Sequence, residues 1–224
     1  ICSAHIPPAP AWPTWFSQII LSVLVEYVYN AFVEYAHNAS LISSAESPTI
    51  VAGGGSVSSG ASDQVRQLAD LLQIPVMTSP QAKGIIPENS HLATGVNSAV
   101  GPANAVLPDT DLLIAIGTRL SLRGISPDDM PPILQIDVEQ GQIGKQYPVE
   151  LGIVGDASET LISLISALSV DESKLAGRRE RAERLKKQFA DEVIKLASPQ
   201  VSVIDKISNA LPDDAIVVQG MTNI

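Results

Sequence analysis

The segment Asp111–Gly117 reads DLLIAIG and gives the clearest indication of fold class in this chain. Apolar residues fill every position between the aspartate and the glycine. A strand with polar residues at alternate positions has one solvated face, whereas an uninterrupted apolar strand is buried on both faces. Because strands of the second kind are typical of parallel sheets covered by helices on both sides, this segment predicts a parallel α/β sheet.

Similar short apolar runs recur before and after this segment, and each is predicted to be a strand. They are Thr49–Ala52, Ile74–Thr78, Ile133–Val138 and Leu151–Val154. Helical periodicity lies between the runs, with Ser62 as the expected N-cap of a helix through Leu72 and another helix over Ala157–Leu168. The alternation of strands and helices predicts a doubly wound, Rossmann-like parallel sheet with flanking helices.

Glycines follow the first predicted strand, at the edge of the sheet where doubly wound folds bind ligands. Gly53, Gly54 and Gly55 have no side chains, so the backbone there can approach a phosphate closely. A tight turn without a ligand explains the same triplet equally well. No acidic residue follows a second strand about 20 positions later to hold a ribose, which disfavours standard nicotinamide binding.

Arginine and aspartate follow the later strands. Gly117, Thr118 and Arg119 close the DLLIAIG strand, and the arginine can pair with a phosphate, stack on a flat ring or form a structural ion pair. Asp137 ends ILQID, where its carboxylate can accept hydrogen bonds from ribose hydroxyls. Asp156 ends another strand, and it either contacts a ligand or caps the helix that begins at Ala157.

Composition and charge exclude several classes of function. The 224 residues carry a net charge of −10, which makes nucleic acid and anionic membranes poor partners. One cysteine permits neither an intrachain disulfide nor a cysteine-based zinc site, and fits a reducing, cytoplasmic compartment. The three histidines are scattered without ligand spacing. We find no catalytic triad, no paired carboxylates and no metal cluster, and therefore assign no catalytic and no metal-binding residue.

Residues 1–38 differ from the rest of the chain and are treated as an atypical apolar N-terminal segment. Within it, the apolar run Trp15–Ala36 is interrupted by polar residues about every four positions. A packed amphipathic helix explains that spacing best. A membrane anchor and a segment without a place in the fold remain alternatives, although no lysine or arginine flanks the run to orient it in a membrane.

The C-terminal part begins with a charged stretch that we interpret as a linker helix over residues 171–198. It contains a basic patch interleaved with acidic residues, and we expect a solvated helix with i,i+4 ion pairs rather than an anion site. The basic residues are Arg178, Arg179, Arg181, Arg184, Lys186 and Lys187. Ser198 and Pro199 are expected to break this helix, and Ala215–Val218 is predicted to be a buried strand.

Taken together, three long segments resemble the central domain of thiamine-diphosphate enzymes such as acetolactate synthase, pyruvate oxidase and benzoylformate decarboxylase. The segments are PTIVAGGGSVSSGASDQVRQLADLLQIPVMTSPQAKGIIPENSHLATG from Pro48, GPANAVLPDTDLLIAIGTRL from Gly101 and ILQIDVEQGQIGKQYPVELGIVGD from Ile133. The resemblance covers residues 39–170 and implies a sheet of about six parallel strands. Residues 199–224 resemble the beginning of the diphosphate-binding domain that follows in this family.

The resemblance implies a parent enzyme that depends on thiamine diphosphate and Mg²⁺, acts on 2-oxo acids such as pyruvate and forms homo-oligomers. In this family the central domain holds FAD or an adenine nucleotide such as ADP, or leaves the place empty. Carried onto this sequence, the cofactor-binding positions are Gly53, Gly54, Gly55, Asn104, Gly117, Thr118, Arg119, Asp137 and Asp156.

Two departures from the family pattern limit what this chain is expected to do. The residues after Arg119 read LSLRG, where flavin-binding synthases typically have FDDR, which argues against FAD. The family's activating glutamate and its GDG…N metal motif belong to the two flanking domains, and we find neither here. We therefore expect this chain alone to be inactive, with a non-catalytic FAD- or ADP-binding module and a purely structural domain as alternative functions.

Overall fold

The computed structural model describes residues 35–96, 103–122, 125–212 and 214–218. The interpretation of residues 1–34, including most of the apolar run, lies outside the described residues. The first elements in chain order are short helices and strands. They are α1 (35–44), β1 (Pro48–Ala52), α2 (Gly54–Ser58), α3 (Ser62–Leu72), β2 (Val76–Thr78), β3 (Ala93–Val96), α4 (Ala103–Val106), β4 (Leu112–Ile116) and β5 (Ile133–Asp137). They are followed by β6 (Leu151–Val154), α5 (Ala157–Ala167) and the long α6 (Glu172–Ala210).

The six strands form one sheet in the order β3-β2-β1-β4-β5-β6, and all neighbouring strands are parallel. The predicted doubly wound α/β fold is therefore confirmed. Five of the six predicted strands correspond to observed strands, and β3 is a further strand that the apolar pattern does not reveal. Ser62 is the first residue of α3, and Ala61 occupies the N-cap position predicted for Ser62.

The apolar residues of β4 divide between two cores, which explains why this strand has no polar face. Leu112, Ile114 and Ile116 pack in one core with the apolar stripes of α3 and α5. Leu113 and Ala115 point to the other core, which also contains Tyr147 and the residues that follow β4. Since successive side chains of a strand point to opposite faces, a strand between two cores must be apolar throughout.

Helix α6 lies along the amino edge of the sheet, where two of its arginines are buried. Arg178 and Arg181 are 3% and 5% exposed. The Arg178 guanidinium donates hydrogen bonds to the carbonyls of Leu72, Ser43 and Ala45. Arg181 donates to the Pro48 carbonyl at 3.0 Å and to the hydroxyls of two threonines, Thr49 and Thr110, at 3.2 and 3.0 Å.

The expectation of a wholly solvated charged helix is therefore wrong for these two arginines. Burial lowers the pKa of both groups, and that of Arg181 falls to about 10. Their hydrogen bonds satisfy carbonyls at the ends of α1 and α3 and polar groups at and before the starts of β1 and β4, so the arginines fix α6 to the domain. The predicted i,i+4 pairs do occur on the exposed side of α6, between Arg179 and Glu183 and between Lys187 and Asp191.

The predicted break near Pro199 is present as a kink. Ala197 leaves the helical conformation, with φ −134° and ψ 31°, inside the span of α6. Beyond the kink, Val203, Ile204 and Ile207 are each more than half exposed. No helix in the described ranges combines the length and hydropathy needed to cross a membrane.

The prediction of a buried strand at Ala215–Val218 is wrong for this structure. These residues pair with none of the six strands, and Ile216 and Val218 are 92% and 90% exposed. An apolar run becomes a buried strand only where neighbouring strands and a covering layer are present. No described element lies against this segment to supply them.

Candidate nucleotide site

The predicted ligand residues meet at the carboxyl ends of β1 and β4, the two central strands between which the strand order reverses direction. The turn after β1 and the turn after β4 touch each other there. A Cβ atom added to Gly53 would lie 2.5 Å from the Thr118 Cβ, and one added to Gly55 would lie 2.8 Å from the Gly117 Cα. Glycine is therefore required at both positions by contact between two parts of the chain itself.

The backbone N–H groups of the glycine turn are largely used within the protein. Gly53 donates to the Ile116 carbonyl at 2.9 Å, Gly55 to the Gly117 carbonyl at 2.9 Å, and Ser56 to the Gly53 carbonyl at 3.1 Å. These donors cannot also bind a phosphate without breaking internal hydrogen bonds. The geometry favours the tight-turn interpretation of the triplet over a phosphate cradle made by its N–H groups.

A first cavity of about 290 Å³ opens beside this contact. Its walls come from the glycine turn, from the residues that follow β2 and from the residues that follow β4. The predicted residues in its lining are Gly53, Gly54, Gly55, Gly117, Thr118 and Arg119. Ser79 and Gln81 complete the opposite wall.

A second cavity of about 220 Å³ lies on the other side of the same contact. Asp137 and Asp156 line it, and Gly55 and Gly117 contribute to both cavities. The Asp156 carboxylate caps α5 by accepting hydrogen bonds from the N–H groups of Ser158 and Glu159, at 2.9 and 3.2 Å. The cap thus uses one of the two carboxylate oxygens of Asp156. Asp137 also has one oxygen in use, because its Oδ1 accepts a hydrogen bond from the Glu139 N–H at 3.0 Å.

Arg119 is the charged residue of the first cavity. Its side chain is exposed, and it forms no salt bridge or hydrogen bond with another residue in the described part of the chain. The next residue, Leu120, is 2% exposed and has φ +50°, a left-handed conformation that is uncommon outside glycine. Its N–H donates to the Thr118 hydroxyl, so local contacts hold the backbone on both sides of Arg119.

Two hydroxyl groups near the first cavity were not identified from the sequence. Oγ1 of Thr78 and Oγ of Ser79 are buried, and neither has a hydrogen-bond partner among the described residues. Buried polar atoms normally have partners, in the protein or in bound water or ligand. The hydroxyl of Ser79, in the cavity wall, is therefore available to a ligand with polar groups. The signal in the sequence that could have identified these two hydroxyls is a threonine followed by a serine at the end of a predicted strand.

Eight of the nine predicted cofactor-binding residues thus lie around two adjoining cavities. Asn104 is the ninth, and it lies in α4, where its side chain is outside the described part of the structure. No group of three histidine, cysteine, aspartate or glutamate side chains is placed to bind a metal ion within the described residues.

Six parallel strands in this order, with a cleft at the reversal of strand order, define an α/β domain of the dinucleotide-fold class. Residues 35–164 match the family described as "Thiamine pyrophosphate enzyme, central domain". The chain belongs to the thiamine pyrophosphate enzymes, and the matched region is their central domain. The family predicted from the sequence is therefore confirmed.

Individual relatives include metabolic enzymes of two kinds. The chain is 40% identical over 144 residues to a probable acetolactate synthase large subunit of Methanocaldococcus jannaschii, covering 61% of this chain and 24% of the relative. A probable acetolactate synthase large subunit of Methanococcus aeolicus is 38% identical over 172 residues, or 74% and 28% of the two chains. A probable 2-ketoarginine decarboxylase of Pseudomonas aeruginosa is 27% identical over 189 residues, or 83% and 34%. The chain spans between about a quarter and a third of these relatives.

Proposed function

We propose that this chain is the nucleotide-holding central domain of an enzyme that uses thiamine diphosphate and Mg²⁺ to act on 2-oxo acids. Its own ligand in this proposal is an adenine nucleotide of the ADP class, bound across the two cavities. The single observation that carries the nucleotide assignment is Arg119, an exposed cation that has no partner among the described residues and lies in a cavity at the reversal of strand order.

The two cavities differ in charge, and this difference determines the orientation in which we place the nucleotide. Arg119 in the first cavity offers hydrogen-bond donors and a positive charge, which suit a phosphate group. Asp137 and Asp156 in the second cavity offer carboxylate oxygens, which suit the hydroxyl groups of a ribose. We therefore place the phosphates of the nucleotide toward Arg119 and its ribose toward the two aspartates.

The binding groups other than Arg119 are side-chain hydroxyls and carboxylates. The glycine turn contributes shape, because its N–H groups already donate to internal carbonyls. The buried Ser79 hydroxyl supplies a further polar contact from the opposite wall. ADP fits this set better than FAD, because LSLRG replaces the acidic FDDR found after the arginine in flavin-binding synthases.

Calorimetric titration of the purified chain with ADP, adenosine, FAD and thiamine diphosphate tests this proposal. We expect ADP to bind, and Arg119→Gln to weaken ADP by about 10- to 100-fold through the loss of a charge-assisted hydrogen bond. Adenosine lacks phosphates, so its affinity should not change in that variant. Arg179→Gln is the matched control, because Arg179 is an exposed arginine on α6, away from both cavities.

If Arg119→Gln weakened the binding of ADP and of adenosine equally, that result would contradict the proposed orientation of the ligand. Absence of ADP binding by the unchanged chain would contradict the nucleotide assignment itself. That result would favour the second candidate, a purely structural domain, for which the internal hydrogen bonds of the glycine turn are the supporting observation.

The assignment of 2-oxo acid chemistry to the parent enzyme is supported by the family match and by relatives named as acetolactate synthases and a 2-ketoarginine decarboxylase. In this proposal thiamine diphosphate supplies an electron sink in the parent enzyme, and groups outside this domain hold it. We propose that the chain alone does not turn over pyruvate. An assay of the purified chain with thiamine diphosphate, Mg²⁺ and pyruvate tests this directly, and pyruvate consumption above the protein-free rate would refute it.

A further inference from the structure

A buried glutamine on β5 connects two turns that surround the candidate site. Gln135 is 2% exposed and lies on the same face of β5 as Ile133, in the second core. Its Nε2 donates to the Thr118 carbonyl at 3.3 Å and to the Gln142 carbonyl at 3.1 Å. Its Oε1 accepts from the Gly144 N–H at 3.0 Å. Both N–H groups and the oxygen of the amide are thus used.

A buried tyrosine holds the continuation of the same segment. Tyr147 is 3% exposed, and its hydroxyl lies 3.0 Å from the Leu122 carbonyl and 3.3 Å from the Ile125 carbonyl. Leu122 lines the first cavity, so the contact fixes one of its walls. A tyrosine hydroxyl is protonated at neutral pH, and burial raises the pKa of Tyr147 further above its ordinary value, so the group acts as a donor.

The segment 118–122 between these two anchors contains the features that define the first cavity. It carries Arg119, and it includes the left-handed Leu120. The Leu122 N–H donates to the Leu120 carbonyl at 2.7 Å, which closes a tight turn over the intervening residue. A left-handed leucine is unfavourable by itself and persists only where surrounding contacts impose it.

We propose that Gln135 and Tyr147 are positioning residues that hold segment 118–122 in the conformation that forms the cavity wall. In doing so they set the affinity of the site for its ligand. The second part rests on the nucleotide function proposed above. Neither residue lines the cavities, so both act through the backbone that carries Arg119.

Burial of these polar groups is otherwise hard to explain. A glutamine amide in an apolar core gains little net stability even when all its hydrogen bonds are made, and a methionine of similar length would fill the same space. What methionine cannot do is donate to two carbonyls that belong to different turns. The geometry points to a role in fixing the relative position of the turns after β4 and β5.

The test compares Gln135→Met and Tyr147→Phe with Ile133→Val in the full chain. Ile133 lies on the same strand as Gln135 and in the same core as Leu120 and Leu122, so Ile133→Val reproduces a mild loss of packing without removing a hydrogen bond that holds segment 118–122. Two quantities are measured in each variant. The first is amide hydrogen exchange at Leu120 and Leu122 in the ligand-free chain, and the second is the ADP dissociation constant.

We expect Gln135→Met to accelerate exchange at both amides by about tenfold and to raise the ADP dissociation constant by about tenfold, which corresponds to one hydrogen bond. Tyr147→Phe should act mainly on Leu122. Ile133→Val should leave both quantities within about twofold of the unchanged chain, since it removes a single methyl group and no hydrogen bond to the segment.

The outcomes separate this proposal from the nucleotide assignment. Faster exchange in a chain that binds no ADP would support the positioning role while the proposed function failed. Exchange no faster than in Ile133→Val would overturn the positioning role, whatever the ADP result. Faster exchange with an unchanged ADP dissociation constant would overturn the claim that these residues set affinity.

Discussion

The contact between the two glycine turns gives the sharpest prediction, because the chain contains a glycine that serves as a matched control. Gly117 has φ +55°, and a Cβ there would meet the Ser56 nitrogen and lie 2.6 Å from the Gly55 carbonyl carbon. Gly60 has a similar φ of +69°, but a Cβ there would find no atom within 4 Å. Both alanine variants therefore share the backbone strain, and only one adds the steric conflict.

The magnitudes follow from these two contributions. A left-handed conformation costs an alanine roughly 1–2 kcal/mol, which is the whole expected loss of stability for Gly60→Ala. Overpacking against backbone adds roughly 1–3 kcal/mol for Gly117→Ala, because backbone atoms cannot rotate away as a side chain can. We therefore expect Gly117→Ala to lose roughly 2–5 kcal/mol in total.

Urea unfolding followed by circular dichroism measures both variants against the unchanged chain. Equal denaturant slopes would show that the differences in midpoint report stability. ADP titration of the folded variants should show weakened binding for Gly117→Ala alone, since only that change displaces the shared wall of the two cavities. A difference in stability below about 0.5 kcal/mol between the two variants would refute the steric argument. Differences of that size lie within the scatter expected for substitutions at independent, distant sites.

Three further predictions concern the helix and the tyrosine. Arg181→Lys keeps the charge but loses two of three hydrogen bonds, so we expect a loss of about 3 kcal/mol in urea unfolding, against at most about 0.5 kcal/mol for the exposed Arg179→Lys. Because its folded pKa is raised, Tyr147 contributes stability below the unfolded pKa that is lost as pH rises through the folded pKa. The stability difference between the unchanged chain and Tyr147→Phe should therefore shrink in unfolding curves as pH rises above about 10, the ordinary pKa of tyrosine. Gly95→Ala places a Cβ 2.6 Å from Cδ1 of Phe189 at φ +119°, and should cost about 2 kcal/mol or more in the same assay; a neutral result would contradict the packing of α6 on β3.

Most of the sheet could be predicted from the sequence because five strands lie in short, mainly apolar runs. The exception, β3, reads ATGV and is too short and too polar to stand out. Its Gly95 is covered by Phe189, a residue almost 100 positions later, so the burial of this strand depends on a long-range contact. Helix α2 was missed for a related reason, since it contains two glycines, which are poor helix formers.

The buried arginines show where reasoning from charge alone fails. Arg178 and Arg181 stand in a stretch rich in both charges, and that composition indicates an exposed helix. Their spacing indicates otherwise, because they share a stripe with Ala182 and Leu185, both fully buried, at intervals of three and four residues. The stripe was the available signal, and it marks which face of α6 meets the domain.

The sequence predicted which strand ends form the candidate site. It did not predict how the residues at those ends are arranged in space. Residues after parallel strands must gather at one edge of the sheet, so their proximity follows from the fold. The division into two cavities does not, because it arises from the contact between Gly55 and Gly117. The role of Gln135 was also hidden, since one polar residue in ILQID gives no indication of its partners.

The arginines of α6 have a consequence for how this domain is made. Arg181 meets Thr49 across 132 residues of sequence, so the ribosome has already produced every strand before that arginine exists. At about 5–20 residues per second, the interval between the two residues is roughly 7–26 s. Throughout that time the Pro48 carbonyl and the Thr49 hydroxyl lack the hydrogen bonds that Arg181 later donates. We therefore expect the nascent sheet to lack these hydrogen bonds until its last described helix is translated, and a messenger that slows translation before residue 181 should lengthen that interval.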